Sequence, residues 1–128
     1  MGHRLQFRQL KGSWAVCRLG AEDAIPDWAG RGPFVSITRT PEELSVVCPA
    51  DQAPDGIRAQ AGWACLQLAG PFDFALTGIL ASFLQPLAEA AVPIFALSTF
   101  DTDWVLIPEP HLARALDALR AAGHDLIV

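Results

Sequence analysis

The stretch that decides the fold is "IFALSTFDTDWVLIPEPHLARALDALRAAGHDLIV", Ile94 to Val128. Two apolar runs on either side of Phe100–Thr102 predict a β-hairpin whose second strand begins at Asp103. The apolar residues that follow recur every three or four positions, which predicts an amphipathic helix with Pro110 near its start and Gly123 just past its end. The closing "HDLIV" predicts a further strand.

The residues before the hairpin complete the pattern. "GWACLQLAG" is an apolar run bounded by Gly62 and Gly70, which predicts a strand buried on both faces. The next segment has the helical spacing, with Asp73 as the expected N-cap and Pro86 expected to bend or break the last turn. The order β-α-β-β-α-β predicts an α+β, ferredoxin-like fold in which two helices cover one face of a four-stranded antiparallel sheet.

The N-terminal half repeats this pattern in shortened form. "WAVCRL" at Trp14 matches "WACLQL" at Trp63, 49 residues further on, whereas "FVSITRTPEELSVVCP" at Phe34 matches "IFALSTFDTDWVLIPE" at Ile94 with an offset of 60. The N-terminal copy therefore lacks about eleven residues where the C-terminal copy has its first helix, and its second helix is similarly reduced. We expect a reduced unit over residues 1–61 and a full unit over residues 62–128.

The repeat predicts an acid in the N-terminal half that corresponds to Asp103 of the hairpin. With the offset of 60, Thr38 falls on Ser98 and Glu43 falls on Asp103. An acid then follows a hydroxyl by five residues in both halves, but only the second copy faces a full-length helix.

Composition excludes several classes of partner. The 128 residues carry 14 acids and nine bases, a net charge of -5 that disfavours nucleic acid phosphates and anionic membrane surfaces. The first residues are polar and basic, and no stretch approaches the roughly 18 apolar residues of a membrane span. We expect a cytoplasmic protein with no nucleic acid or membrane partner.

Candidate metal ligands and nucleophiles are scattered. The odd number of cysteines, each within an apolar run, predicts buried free thiols instead of disulfides or metal ligands. No histidine lies in sequence beside an acid and a nucleophile, so we expect no catalytic group, metal or cofactor. The cysteines are Cys17, Cys48 and Cys65, and the histidines are His3, His111 and His124.

Three segments, "PFVSITRTPEELSVVCP", "GPFDFALTGIL" and "STFDTDWVLIPE", resemble the ACT domain superfamily, and more narrowly the tandem ACT proteins related to the CASTOR arginine sensors and small stand-alone bacterial ACT proteins. The resemblance covers roughly residues 13–128. It implies two ACT units in tandem, the first with shortened helices. It also implies an amino acid pocket formed by the loop before the first long helix and the end of the second strand, usually at an interface between ACT units. The implied ligand-binding residues are Asp73, Phe74, Thr77, Gly78, Ile79, Ser98, Thr99, Phe100 and Asp103.

These residues offer what an amino acid needs. Backbone N–H groups at the helix start could receive its carboxylate, and Asp103 could meet its ammonium group. Alternatively, Asp103 is an ordinary hairpin acid bonded to Thr99, Thr102 or the backbone, and Gly78 serves only to pack the helix closely.

The resemblance leaves the ligand open. The arginine sensors carry acids just inside the helix start, where this chain has Ala75 and Leu76, so a small neutral or apolar amino acid is as plausible as a basic one. The leading hypothesis is a non-enzymatic amino acid sensor or regulatory module that forms a homodimer. The alternative is a structural or adaptor protein that acts through protein contacts without a ligand.

Overall fold

The computed structural model describes residues 3–73 and 76–127 of the chain. Within these ranges the strands and α-helices, in chain order, are β1 (Gln6–Gln9), β2 (Trp14–Leu19), β3 (Ser36–Arg39), β4 (Leu44–Pro49), β5 (Arg58–Leu68), α1 (Ile79–Glu89), β6 (Phe95–Ser98), β7 (Asp103–Pro108), α2 (Leu112–Ala121) and β8 (Asp125–Leu126). The chain divides into an N-terminal unit, Gly12–Trp63, and a C-terminal unit made of Met1–Lys11 and Ala64–Val128. The predicted ranges, 1–61 and 62–128, differ from this division mainly in where the first eleven residues belong.

The N-terminal unit is an antiparallel sheet in the order β3-β4-β2-β5. Short 3-10 turns, Asp27–Gly30 and Ala50–Gln52, stand where the full pattern has helices. Apolar side chains on one face of β2 and β4 form the core of this unit, together with Ala29 of the first turn. The prediction of a unit with shortened helices is therefore confirmed.

The C-terminal unit has the predicted order of elements from β5 to β8, and its sheet runs β6-β7-β5-β1-β8. This is the ferredoxin-like order with one added strand, because β1 pairs antiparallel with β5 and parallel with β8. The α+β ferredoxin-like prediction is confirmed, but the sheet of this unit has five strands among the described residues instead of four. The core lies between α1, α2 and one face of this sheet, where Phe7 and Phe83 meet edge to face at 5.2 Å.

Strand β5 is longer than predicted. The sequence predicts a strand that starts at Gly62 with a loop before it, but β5 already begins at Arg58 and continues through Gly62. Gly62 has a φ of +84°, and the pairing with β2 shifts register nearby, from Trp14↔Trp63 to Val16↔Gln60. The glycine therefore marks a β-bulge inside one strand and not the end of a loop.

Helix α1 begins later than predicted. The expected N-cap, Asp73, is wrong, because the residue before the first helical position is Gly78, with a φ of +77°. The main-chain carbonyl of Asp73 instead accepts a hydrogen bond from the N–H of Leu76 at 3.0 Å, before the helix begins. A left-handed glycine cannot continue a right-handed helix, so the apolar spacing before Gly78 belongs to a loop. Pro86, which was expected to bend or break the last turn, does not break it, since α1 runs on to Glu89.

Helix α2 follows the prediction. A 3-10 turn at Glu109–His111 precedes it, and Gly123, with a φ of +95°, ends it. The N–H of Gly123 bonds the carbonyl of Arg120 and the N–H of His124 bonds the carbonyl of Leu119, both at 3.0 Å. These two bonds form a Schellman motif, which satisfies the last carbonyls of the helix.

Candidate functional site

A cleft of about 160 Å³ lies in the C-terminal unit, between the loop that precedes α1 and the tip of the β6–β7 hairpin. Its lining residues are Phe72, Asp73, Leu76, Ile79, Ser98, Thr99, Phe100, Asp101, Thr102 and Asp103.

Two hydrogen bonds to main-chain carbonyl oxygens hold the two walls of the cleft together. The N–H of Phe72, in the loop, donates to the carbonyl of Asp101, in the hairpin, at 2.9 Å. The buried hydroxyl of Thr102 donates to the carbonyl of Leu68, at the end of β5, at 2.8 Å. A Cβ at Gly70 would lie 2.9 Å from the carbonyl oxygen of Asp101, so the close approach of loop and hairpin requires glycine there.

Asp103 occupies an unusual place on β7. Side chains alternate along a strand, so Asp103 shares a face with Val105 and Ile107, both of which are buried in the core. Asp103 is thus the first of the three β7 side chains on the face that packs against the core, which we call the core-facing row, and it lines the cleft. Ser98, its cross-strand partner, donates a hydrogen bond to Oδ1 of Asp103 at 2.5 Å.

The β3–β4 hairpin of the N-terminal unit shows which residue occupies the position that corresponds to Asp103. In both hairpins one hydrogen bond closes the turn, from the N–H of Thr40 to the carbonyl of Glu43 at 2.9 Å, and from the N–H of Thr99 to the carbonyl of Thr102 at 2.8 Å. When these two bonds are aligned, each residue of the first hairpin corresponds to the residue 59 positions later in the sequence, and not 60.

The corrected offset changes the counterparts of the cleft residues. Arg39 corresponds to Ser98, and fully buried Leu44 corresponds to Asp103. The predicted equivalence of Glu43 with Asp103 is wrong by one residue, so the acid at the strand start is not a repeated feature. It belongs to the C-terminal unit, at a position where the repeat carries a core leucine.

The structure brings six of the nine predicted site residues together around the cleft: Asp73, Ile79, Ser98, Thr99, Phe100 and Asp103. Thr77 and Gly78 lie at the start of α1 but outside the lining, next to His3, whose Nε2 is 2.9 Å from the carbonyl oxygen of Thr77. Phe74 lies outside the described residues. Sequence reasoning missed four lining residues, Phe72, Leu76, Asp101 and Thr102.

One of the polar groups that line the cleft already forms hydrogen bonds within the hairpin. The hydroxyl of Thr99 donates to the carbonyl of Thr102 at 3.1 Å and accepts from Nε1 of Trp104 at 3.2 Å. Thr99 therefore braces the hairpin instead of offering its hydroxyl to the cleft. The hydroxyl that reaches Asp103 is that of Ser98.

The cleft is electrostatically negative. Asp73, Asp101 and Asp103 all line it, and the described lining residues include no lysine, arginine or histidine. Three carboxylates around one small opening attract a cationic group. The side of the cleft at α1 offers the opposite polarity, because the first turn of a helix presents unpaired N–H groups.

Other chemistry has little support in the described ranges. They contain no group of three or more His, Cys, Asp or Glu side chains placed to hold a metal ion, and none of their helices is long and apolar enough to cross a membrane. The three cysteines are buried and free, as predicted. Burial raises the pKa of the Cys65 thiol to about 12, and burial together with neighbouring Cys17 and Asp51 raises the pKa of Cys48 to about 12. Such thiols are poor nucleophiles.

Comparisons with known proteins agree with this architecture. The sequence profile of the ACT domain matches residues 58–121, and a profile described as an N-terminal domain matches residues 12–56. The chain is 32% identical to a Bos taurus protein named cytosolic arginine sensor for mTORC1 subunit 1, over 74% of this chain and 34% of the relative. The chain thus spans about a third of that relative's length.

Solved structures extend the comparison to nearly the whole chain. The Agrobacterium tumefaciens protein Atu0741 superposes with a TM-score of 0.94 at 44% identity, over 98% of this chain and 94% of that one. The regulatory subunit of aspartate kinase from Thermus thermophilus superposes with a TM-score of 0.58 at 17% identity, over 87% of this chain and 93% of that one, which shows a shared fold. From the profile match and the likeness to Atu0741, we conclude that the chain belongs to the ACT domain family.

Proposed function

We propose that this chain is a non-catalytic regulatory module that binds an amino acid in the cleft between the α1 loop and the β6–β7 hairpin. The observation that carries the proposal is the position of Asp103. A carboxylate at the end of a core-facing row, where the repeat has a leucine, is explained by a ligand that the carboxylate contacts.

The two sides of the cleft match the two charged groups of an amino acid. Asp103, with Asp73 and Asp101 nearby, would receive the ammonium group. The start of α1 would receive the carboxylate, since its N-cap is Gly78, which has no side chain of its own to cap the first turn. The name of the bovine relative supports the ligand class, because it describes an arginine sensor.

The size of the cleft bears on the assembly. Ligand pockets commonly enclose about 300–1,000 Å³, and this cleft has about 160 Å³ within one chain. Leu76 and Phe100, which line its mouth, are 49% and 79% exposed. We therefore propose a homodimer in which a second copy adds to the walls of the site. A cytoplasmic location is proposed from the description of the bovine relative as cytosolic.

A thermal-shift screen against the common amino acids tests the proposal. A ligand at about 100 times its Kd adds about 2.7 kcal/mol of stability, which is easily measured as a rise in Tm. The variant Asp103→Asn should lose that rise. The matched control is Glu43→Gln, in the turn of the other hairpin, which should keep it.

Two outcomes would contradict the proposal. If no amino acid at millimolar concentration raises Tm, the adaptor hypothesis, in which the fold acts through protein contacts alone, is favoured. If an amino acid binds and Asp103→Asn binds it equally well, the ligand does not contact Asp103 and the cleft is not its site.

A further inference from the structure

Arg39 closes the N-terminal unit at the place where the C-terminal unit has its cleft. It ends β3 as Ser98 ends β6, but its side chain is long enough to cross to the loop that follows β2. There its guanidinium donates hydrogen bonds to the carbonyl oxygens of Ala21 and Asp23, the second at 2.8 Å.

The loop is shaped to present those carbonyls. The N–H of Asp23 bonds the carbonyl of Gly20 at 3.0 Å, and the N–H of Gly20 bonds Oδ2 of Asp23 at 2.7 Å. The turn thus uses its own N–H groups internally and leaves the oxygens of Ala21 and Asp23 to Arg39. A planar guanidinium with several N–H donors in a fixed fork suits two carbonyl acceptors on one turn.

We propose that the N-terminal unit contains a guanidinium-binding site, formed by the carbonyl oxygens of Ala21 and Asp23, which the chain's own Arg39 occupies. The site is the counterpart of the C-terminal cleft, which stays open because a short serine replaces the arginine. The length of the side chain at this position therefore distinguishes the two repeats, and this holds whatever the open cleft binds.

Chemical rescue tests the site without reference to any natural ligand. In Arg39→Ala, amide hydrogen exchange at Gly20 and Asp23 should become faster, and ethylguanidinium at tens of millimolar should slow it again. Arg39→Lys keeps the positive charge but not the planar set of N–H donors, so exchange at Gly20 and Asp23 should be slower than in Arg39→Ala and faster than in the wild type. The matched control is Arg18→Ala, because Arg18 donates to the carbonyl of Glu42 at 2.9 Å in the same unit.

We expect ethylguanidinium to slow amide exchange at Gly20 and Asp23 in Arg39→Ala. At equal ionic strength it should not change exchange at these amides in the wild type or in Arg18→Ala. An equal response in all three proteins would overturn the proposal. So would unchanged exchange at Gly20 and Asp23 in Arg39→Ala, because the guanidinium would then not hold the loop.

A reciprocal variant tests the role of Ser98. Ser98→Arg should place a guanidinium across the C-terminal cleft beside Asp103, and should slow exchange at the N–H of Phe72 in the opposite wall. Ser98→Met, with a long uncharged side chain, is the control. Equal exchange in both variants would show that an arginine at this position does not close the cleft, even if no amino acid ligand is found.

Discussion

Nε2 of His124 donates a hydrogen bond to the carbonyl oxygen of Ser82 at 2.8 Å, and this is the carbonyl that Pro86 leaves without its helical partner. The other ring nitrogen, Nδ1, accepts from the N–H of Leu5 at 3.0 Å. These two bonds assign the ring proton to Nε2. A proline is tolerated inside α1 because a buried side chain from the end of α2 replaces the missing donor.

We predict that His124→Ala lowers the free energy of unfolding by about 2 kcal/mol, because it leaves a partly buried carbonyl and a buried N–H unpaired. Pro86→Ala restores a helical donor for Ser82, so it should recover about 1 kcal/mol more in the His124→Ala background than in the wild type. Urea unfolding of the four proteins measures this interaction. Strictly additive effects would show that His124 does not compensate for Pro86.

The end of α1 contains a strained alanine. Ala91 has a φ of 57°, and its N–H bonds the carbonyl of Ala88 while the N–H of Val92 bonds that of Leu87. This is the motif that ends α2, with alanine in the left-handed position that Gly123 fills there. We predict that Ala91→Gly raises the free energy of unfolding by about 0.5–1 kcal/mol.

The control for this change is one residue away. Ala90 has a φ of -83°, so Ala90→Gly relieves no strain and should be neutral or destabilising. Thermal unfolding of both variants distinguishes them, and equal effects would refute the argument from backbone conformation.

The start of α1 shows why part of the site escaped sequence reasoning. Hydrophobic spacing predicted both helices, but it cannot distinguish a helix start from a loop that happens to place Leu76 three residues before Ile79. The decisive residue was Gly78, whose left-handed conformation depends on the surrounding chain. Phe72 and Asp101 were missed because the bond between them joins segments far apart in sequence.

The comparison of the two repeats failed for a different reason. Both halves were recognised from strand composition, and the strands formed as expected. The register was misplaced by one residue because hydroxyls and acids are dense in both hairpins, and only the bonds that close the turns fix it. The added strand β1 lies outside the repeat, and its position between β5 and β8 depends on pairing over most of the chain.

Replacing the acid of the cleft by the residue of the repeat separates stability from binding. We predict that Asp103→Leu leaves the unliganded protein as stable as the wild type, or more stable by about 1 kcal/mol, because leucine extends the core-facing row that ends at Asp103. The same variant should lose the amino acid response. A drop of several degrees in Tm without ligand would instead identify Asp103 as a structural partner of Ser98.

The buried thiols make stability depend on alkaline pH. Below about pH 8 the thiols are mostly protonated in both the folded and the unfolded chain, so they add little pH dependence. Between 9 and about 12 the unfolded chain ionises at Cys48 and Cys65 while the folded chain does not. Each thiol should then lower the free energy of unfolding by about 1.4 kcal/mol per pH unit.

Urea titrations at several pH values measure this slope, and the chain has no tyrosine whose ionisation would overlap it. Cys65→Ala should remove about half of the combined slope of Cys48 and Cys65. A slope unchanged by that variant would mean that Cys65 ionises as readily in the folded protein as in the unfolded chain.

The position of β1 between β5 and β8 constrains the order in which the C-terminal unit can fold during synthesis. Leu5 and His124 are 119 residues apart in sequence, so β1 gains its second neighbour only after β8 has been synthesised. Residues 12–63 are contiguous and can fold earlier during translation. A nascent chain arrested before Gly123 would leave β1 with one open edge and the carbonyl of Ser82 without its donor, so the cleft-bearing unit is completed only after residues 124–126 have emerged from the ribosome.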